Sequence, residues 1–350
     1  MLVVERLTCR QCGERGSHYM STELGDDTKG TARRAPARVS VNWREIVLFG
    51  LLAYGLAWAW WGFLFFPYLG TLLTQSATPS DLVAQAGVAM VLGMFAPMMA
   101  ALIMRLFISK EGVKGSLGLW RSWKYYLTAL VAPAVFATVV ALVVQELGLG
   151  DFGWSEVGWL VYLTLLLKVL PNVLFTFGEE YGWRGYLLPR LLPLGEIRAT
   201  LVVALIWGPW HVPLLLAGFN YPGVNPWLAI LVFCFTVVAL SFAYTWFYVA
   251  SSGSVLVVAL LHQSNNTFSD TFWQPPLMSE GSQVAASVVG GAMILALAVV
   301  VYGLFQRPVC GEDSRTPSGN RTLPYVVKLF KSSSAPKGEA DAAQAEFMRR

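Results

Sequence analysis

Eight apolar segments dominate the chain between residues 41 and 306. Most of them approach the roughly 20 residues that an α-helix needs to cross a bilayer. The segments are Ile46–Phe66, Val83–Leu106, Tyr126–Val144, Val157–Phe177, Ala199–Ala217, Trp227–Ala250, Val255–Asn266 with its flanks, and Val284–Phe305. This pattern predicts an all-α, polytopic membrane protein with about eight transmembrane helices.

The seventh segment differs from the others because its second half, from His262 to Asp270, is polar. Polar groups without partners are costly in hydrocarbon, so this half can span a membrane only where it faces protein. The sequence therefore predicts a polar stripe inside the helix bundle.

Composition supports the membrane class. Of the 350 residues, 55% are hydrophobic and 13% are charged, whereas soluble domains carry roughly 25% charged residues. The net charge of +4 is small and argues for no nucleic-acid partner. The apolar segments are therefore expected to contact membrane lipid.

Basic residues occur in alternate loops between the apolar segments. The loops after the second, fourth and eighth segments are basic, and those after the first, third, fifth and seventh contain no Lys or Arg. Cytoplasmic loops of membrane proteins carry an excess of Lys and Arg. The alternation predicts that both termini are cytoplasmic, with disordered tails at 1–40 and 307–350 on either side of a membrane domain at 41–306.

A cluster of three charges, Glu179, Glu180 and Arg184, directly follows the fourth segment. On a helix Glu180 and Arg184 share a face, in the favourable order with the acid first. Glu179 points about 100° away from Glu180. If the helix continues through Gly178 and Gly182, the spacing predicts that Arg184 holds Glu180 and that Glu179 faces another partner. The alternative is an interfacial ion pair with one carboxylate that reaches to the membrane surface.

Two other charges lie inside apolar segments. Arg105 is near the end of the second segment, where its side chain is expected to reach out to the interface. Lys168 is twelve residues before Glu180, too far along a helix for direct pairing. Neither is predicted to belong to a functional site.

Polar side chains also lie in the fifth and seventh segments. His211 is flanked by prolines on both sides, which predicts a kinked helix. His262 and Asn266 are one turn apart and share a face, which Asn265 does not share as well. A single intramembrane His or Asn often joins two helices by a hydrogen bond. Two histidines, an asparagine and two carboxylates on three helices indicate a common site instead.

The combined set has the parts of a hydrolase. Glu179 could act as general base on a water molecule that His211 orients. His262 and Asn266 could donate to the oxyanion of a tetrahedral intermediate. No serine or cysteine stands out as a nucleophile.

Zinc chemistry is an alternative use of the same side chains. Two histidines and one glutamate are a common catalytic zinc set, and Glu179, His211 and His262 could supply it without the H-E-x-x-H motif. The single C-x-x-C of Cys9 and Cys12 is a weak zinc signal. Two further alternatives are a proton-coupled transporter, because intramembrane Glu and His also form proton relays, and a non-catalytic immunity or interaction protein.

Three ordered motifs resemble the signature of the CPBP family of type II CAAX prenyl endopeptidases and related bacterial proteins. They are Glu179-Glu180-x-x-x-Arg184, Trp207 four residues before His211, and His262-x-x-x-Asn266. The second motif of the family usually has Phe where this chain has Trp207. The resemblance covers roughly residues 85–305.

The resemblance implies an eight-helix intramembrane endopeptidase whose site lies in a cavity that opens toward the cytoplasm. Its expected substrate is a peptide, a bacteriocin or a membrane-protein segment, and we expect a bacterial plasma membrane because nothing marks a eukaryotic enzyme. By position in the motifs the roles are Glu179 as base, His211 as the group that orients water or metal, His262 and Asn266 as oxyanion or ligand groups, and Glu180 and Arg184 as supporting residues.

Overall fold

The computed structural model describes residues 40–65, 91–118, 122–273, 276–279 and 281–305. Within these ranges the chain is helical and forms no strand beyond an isolated bridge between Phe152 and Met278. The all-α prediction is confirmed. Most of the two predicted tails, including Cys9 and Cys12, lies outside the described residues.

Ten α-helices are numbered here in chain order through the described residues. A 3₁₀ turn (Leu92–Phe95) precedes α2, and π turns follow α2 (Met104–Ile108) and α4 (Trp183–Leu187). The α-helices are α1 Trp43–Phe65, α2 Ala96–Ile103, α3 Trp123–Glu146, α4 Trp159–Gly182, α5 Leu188–Leu191, α6 Glu196–Trp210, α7 Val212–Leu216, α8 Pro226–Ala250, α9 Val255–Phe272 and α10 Ser282–Phe305.

Five helical stretches in the described part of the chain are long and apolar enough to cross a membrane. They are Trp43–Leu64, Trp123–Glu146, Trp159–Leu194, Pro226–Ala250 and Ser282–Tyr302. The protein is therefore a multi-pass membrane protein. The count of eight spanning helices and the cytoplasmic position of both termini stay predictions.

The outer face of α4 illustrates how the helices meet lipid. Leu163, Leu167, Leu170 and Leu174 are all exposed and recur every three or four residues. Leu165 and Thr176, on other faces of the helix, are buried. An exposed stripe of large apolar side chains is expected where the solvent is hydrocarbon rather than water.

Helix α9 lies inside the bundle, packed between α3 and α4. Its Ser264 hydroxyl donates to the Leu130 carbonyl of α3 at 2.6 Å. The Thr176 hydroxyl of α4 donates to the Ala259 carbonyl of α9 at 2.9 Å. His262, Ser264 and Thr267 are buried, whereas Asp270 is exposed. The first part of the polar half therefore faces protein, as predicted.

Helices α2 and α4 approach so closely that only glycine fits at the crossing. A Cβ atom added to Gly182 would lie 2.6 Å from the carbonyl carbon of Pro97, and one added to Gly178 would lie 2.5 Å from Cδ1 of Phe95. This contact holds the α4 segment that carries Glu179 and Glu180 against α2.

The variant Gly182→Ala is expected to destabilise the protein by about 1–3 kcal/mol, the usual cost of overpacking. The added methyl group would collide with the Pro97 backbone, which cannot move aside as a side chain can. Thermal unfolding in detergent measures the effect. Gly55→Ala is the control, because its Cβ meets no atom within 4 Å. Equal melting temperatures for the two variants would contradict the close crossing.

Candidate active site

Helix α4 continues without a break through Gly178 and Gly182 into the π turn Trp183–Leu187. The assumption behind the predicted carboxylate geometry is therefore correct. Glu179 and Glu180 are 1% and 0% exposed. The alternative of a carboxylate that reaches to the membrane surface is wrong, because both carboxylates lie inside the protein. The π turn that follows the two carboxylates is a further indication of a functional site, because π turns occur frequently at such sites.

Glu180 is the centre of a buried group of charges. Nη1 of Arg184, one turn on, donates to both of its carboxylate oxygens at 2.9 Å. Nδ1 of His262, on α9, lies 2.8 Å from Oε1 of the same carboxylate. The guanidinium of Arg184 also stacks over the ring of Trp207, 4.3 Å from its centre. Both carboxylate oxygens of Glu180 therefore accept hydrogen bonds, and the contact with His262 links α9 to α4.

Glu179 has a different set of partners, as the helical spacing predicts. Its Oε1 accepts from the indole N–H of Trp207 on α6 and from that of Trp183, one turn on, at 3.3 Å. Nε2 of His211 lies 3.8 Å from the same oxygen. Two indole donors hold the carboxylate in one orientation without neutralising its charge.

His211 occupies a break between two helices, because α6 ends at Trp210 and α7 begins at Val212. This is the kink that the flanking prolines predicted. Its Nδ1 lies 3.1 Å from the Trp207 carbonyl. A carbonyl oxygen only accepts, so Nδ1 carries the proton, and Nε2 of the neutral ring is an acceptor that faces Glu179.

A cavity of about 140 Å³ connects these groups. Glu179, His211, His262 and Asn266 all line it, so four of the six predicted residues share one space. Asn265 lines it too, although by helical spacing it shares the face of His262 less well than Asn266 does. A cavity of this size has room for several water molecules.

The carboxylate-bearing segment and its partners fall within one region of family similarity. Residues 159–268 match the family model described as type II CAAX prenyl endopeptidase Rce1-like. The site-bearing segment is Rce1-like. This match confirms the resemblance found in the three motifs, covers about a third of the chain, and contains all six predicted site residues. No curated protein matches the chain.

The cavity extends from Glu179 toward the end of the bundle that carries the loop after α7, here called its outer end. Its outer wall includes Asn220 and Tyr221 from the loop after α7, the last turns of α9, and the first half of α10. Arg105 and Arg190 lie at the opposite end of the bundle. The family resemblance implied a cavity that opens toward the cytoplasm, and this stays a prediction.

The described residues offer no ready metal centre. Among them no group of three or more His, Cys, Asp or Glu side chains is arranged to hold a metal ion. His262 and His211 each use Nδ1 for a protein partner, which leaves Nε2 of both rings without a protein hydrogen bond in the described part of the chain. The possible zinc set of Glu179, His211 and His262 stays a prediction.

Sequence reasoning missed the role of the two tryptophans beside Glu179. Trp183 follows Glu179 at the same four-residue spacing that links Glu180 to Arg184, and that spacing could have identified it. Trp207 was expected to supply an aromatic ring, yet its N–H also donates to Glu179. A phenylalanine at this position would lack that donor.

The predicted placement of Arg105 is wrong, because its side chain is buried in the protein and does not extend to the membrane interface. Its Nη2 donates to the Gly185 carbonyl at 2.7 Å, and its Nη1 pairs with Glu111 at 3.1 Å. An α-helix would satisfy the Gly185 carbonyl with the N–H of residue 189, but Pro189 has none. Arg105 replaces the missing donor and supports the π turn. Arg190 joins the same cluster through Glu111 at 2.6 Å.

The variant Trp207→Phe is expected to lower kcat/KM about tenfold, because a hydrogen bond to a charged group is lost. Trp183 remains to hold Glu179, so the combined variant Trp183→Phe/Trp207→Phe should lose much more. Cleavage kinetics on one peptide measure both. Trp154→Phe is the control, since its N–H donates to the Gln145 side chain and neither residue lines the cavity. Unchanged kinetics in the double variant would contradict the role of the indoles.

Proposed function

We propose that the protein is an intramembrane endopeptidase in which Glu179 activates water for attack on a peptide carbonyl. The observation that carries this proposal is the buried Glu179 carboxylate, which faces Nε2 of His211 at 3.8 Å on the wall of a cavity. The similarity of residues 159–268 to CAAX prenyl endopeptidases supports the same class of reaction.

The first step uses two acceptors. Glu179 and the neutral Nε2 of His211 can each accept one hydrogen from the same water molecule, which leaves a lone pair of the water oxygen directed into the cavity. As that oxygen bonds to the substrate carbonyl carbon, the proton on the Glu179 side passes to the carboxylate. A positioned general base typically contributes about 10²–10⁴-fold.

The oxyanion that forms needs donors from the opposite wall. The amide of Asn266 can donate in any protonation state. His262 already uses Nδ1–H for Glu180, so its Nε2 donates only when the ring is an imidazolium. The loss of one such donor typically lowers kcat by about 10²–10³-fold.

The second step breaks the peptide bond. The tetrahedral intermediate collapses, the C–N bond breaks, and protonated Glu179 returns its proton to the leaving nitrogen. The products are a carboxylate and an amine, and Glu179 is restored. Glu180 and Arg184 touch no reacting atom in this scheme. They position His262 and hold the segment that carries Glu179.

The substrate class follows from the setting of the site. A buried cavity among apolar helices suits a peptide that is itself held in the membrane, such as a lipid-modified C-terminus or a membrane-protein segment. The bacterial plasma membrane is the proposed location.

Purified protein in detergent, incubated with quenched fluorescent peptides, tests this function. The set contains prenylated C-terminal peptides and unmodified apolar segments. We expect cleavage of at least one class, with no loss after metal depletion checked by elemental analysis. Activity that disappears on chelation and returns with zinc would replace the glutamate mechanism by a metal-dependent one. Folded protein that cleaves neither class would overturn the proposal.

A further inference from the structure

A polar stripe continues along α9 beyond the residues of the proposed reaction. His262, Asn266 and Asp270 follow one another at four-residue intervals, and all three line the cavity. At 1.5 Å per residue, Asp270 lies about 12 Å along the helix from His262. An extended peptide covers that distance in about three or four residues.

The described part of the cavity wall carries negative charge. Among the described residues that line the cavity, Glu179 and Asp270 supply carboxylates, and none is Lys or Arg. Asp270 forms no hydrogen bond or ion pair within the described residues. Lys168 and His262 act on it only through longer-range electrostatics. Asp270 keeps more accessible surface than Glu179 and lines the cavity, so its carboxylate can meet a charged group that enters from the outer end.

A second acceptor lies in the same wall. Gln283, at the start of α10, is 6% exposed, and its Oε1 accepts no hydrogen bond within the described part of the chain. A buried acceptor without a donor costs free energy. The outer end of the cavity thus offers a carboxylate and an amide oxygen, both of which require donors.

We infer that the outer end of the cavity is a subsite for a cationic group of the substrate, with Asp270 as its counter-charge and Gln283 as a second acceptor. A lysine or arginine side chain or a free amino terminus has the required charge and several N–H donors. This inference rests on the proposed function in treating the bound peptide as a substrate.

Peptide binding tests the subsite separately from cleavage. The probes are fluorescently labelled apolar peptides with a single Lys placed at successive positions, each paired with the same peptide carrying Gln. Fluorescence anisotropy with the full-length protein in detergent should reveal one register in which Lys binds up to about fivefold more tightly, the upper end of the range for an exposed ion pair.

The isosteric variant Asp270→Asn should remove this preference and leave the affinity for the Gln peptide within about twofold. Gln283→Met should reduce it in part, and Asp270→Lys should reverse it toward Glu peptides. Asp151→Asn is the matched control, since it removes an exposed carboxylate from a loop at the same end of the bundle that does not line the cavity. The absence of a Lys preference in the wild type, or its survival in Asp270→Asn, would overturn the subsite.

The two proposals can fail independently. Cleavage of peptides without any Lys preference in binding would support the endopeptidase proposal and contradict the subsite. A Lys preference that depends on Asp270, in a protein that cleaves no peptide, would support a cation-binding cavity and contradict the endopeptidase proposal.

Discussion

Glu179→Gln is expected to reduce peptide cleavage by about 10²–10⁴-fold, the usual contribution of a general base. Glutamine has the same shape, and its carbonyl oxygen can still accept from the indoles of Trp183 and Trp207. It cannot take up a proton from water. The loss should therefore appear in kcat, while the fold and peptide affinity stay close to those of the wild type.

Initial rates on a cleaved peptide, measured together with thermal unfolding, check this result. Glu146→Gln is the matched control, because Glu146 is an exposed carboxylate at the end of α3 that does not line the cavity. A Glu179→Gln protein that retains more than about a third of the wild-type rate would exclude Glu179 as the base.

Arg184→Met is expected to have the largest effect on stability, a loss of about 3–5 kcal/mol. Glu180 is 0% exposed, so the removal of Arg184 would leave a buried carboxylate with only His262 as a charged partner. The stacking of the guanidinium over Trp207 would be lost as well. Methionine fills much of the same volume, so the effect reports the charge more than a cavity.

The double variant Glu180→Gln/Arg184→Met separates charge from packing. It should recover most of the stability lost in Arg184→Met, because no uncompensated charge remains, but it should stay impaired in catalysis since His262 loses its carboxylate partner. Melting temperatures of the wild type, both single variants and the double variant form the cycle. Arg198→Met, on the exposed face of α6, is the control. Additive effects would show that the buried pair is not coupled.

The local parts of the site could be predicted from the sequence. The pairing of Glu180 with Arg184 depends only on the rise and turn of one helix. In the structure Nη1 of Arg184 lies 2.9 Å from Oε1 of Glu180. The different orientation of Glu179 follows from the same geometry. The kink at His211 follows from its flanking prolines. The three motifs were sufficient to predict the family that residues 159–268 match.

The contacts between helices could not be predicted in the same way. Nothing near His262 in the sequence shows that its Nδ1 binds Glu180, which is 82 residues earlier. Arg105 appeared to be a charge near a helix end, and only the packing of α2 on α4 places it against the Gly185 carbonyl.

The sequence by itself determined the all-α class, the membrane class and the family similarity of residues 159–268, because apolar runs, helical spacing and ordered motifs are properties of short stretches of chain. The tertiary structure decided which partner each carboxylate receives: Arg184 and His262 for Glu180, and Trp183, Trp207 and His211 for Glu179. It also placed Asp270 in the wall of the same cavity. These assignments depend on how α4, α6 and α9 cross, and those crossings depend on close approaches, such as Gly182 against Pro97, that no single helix contains.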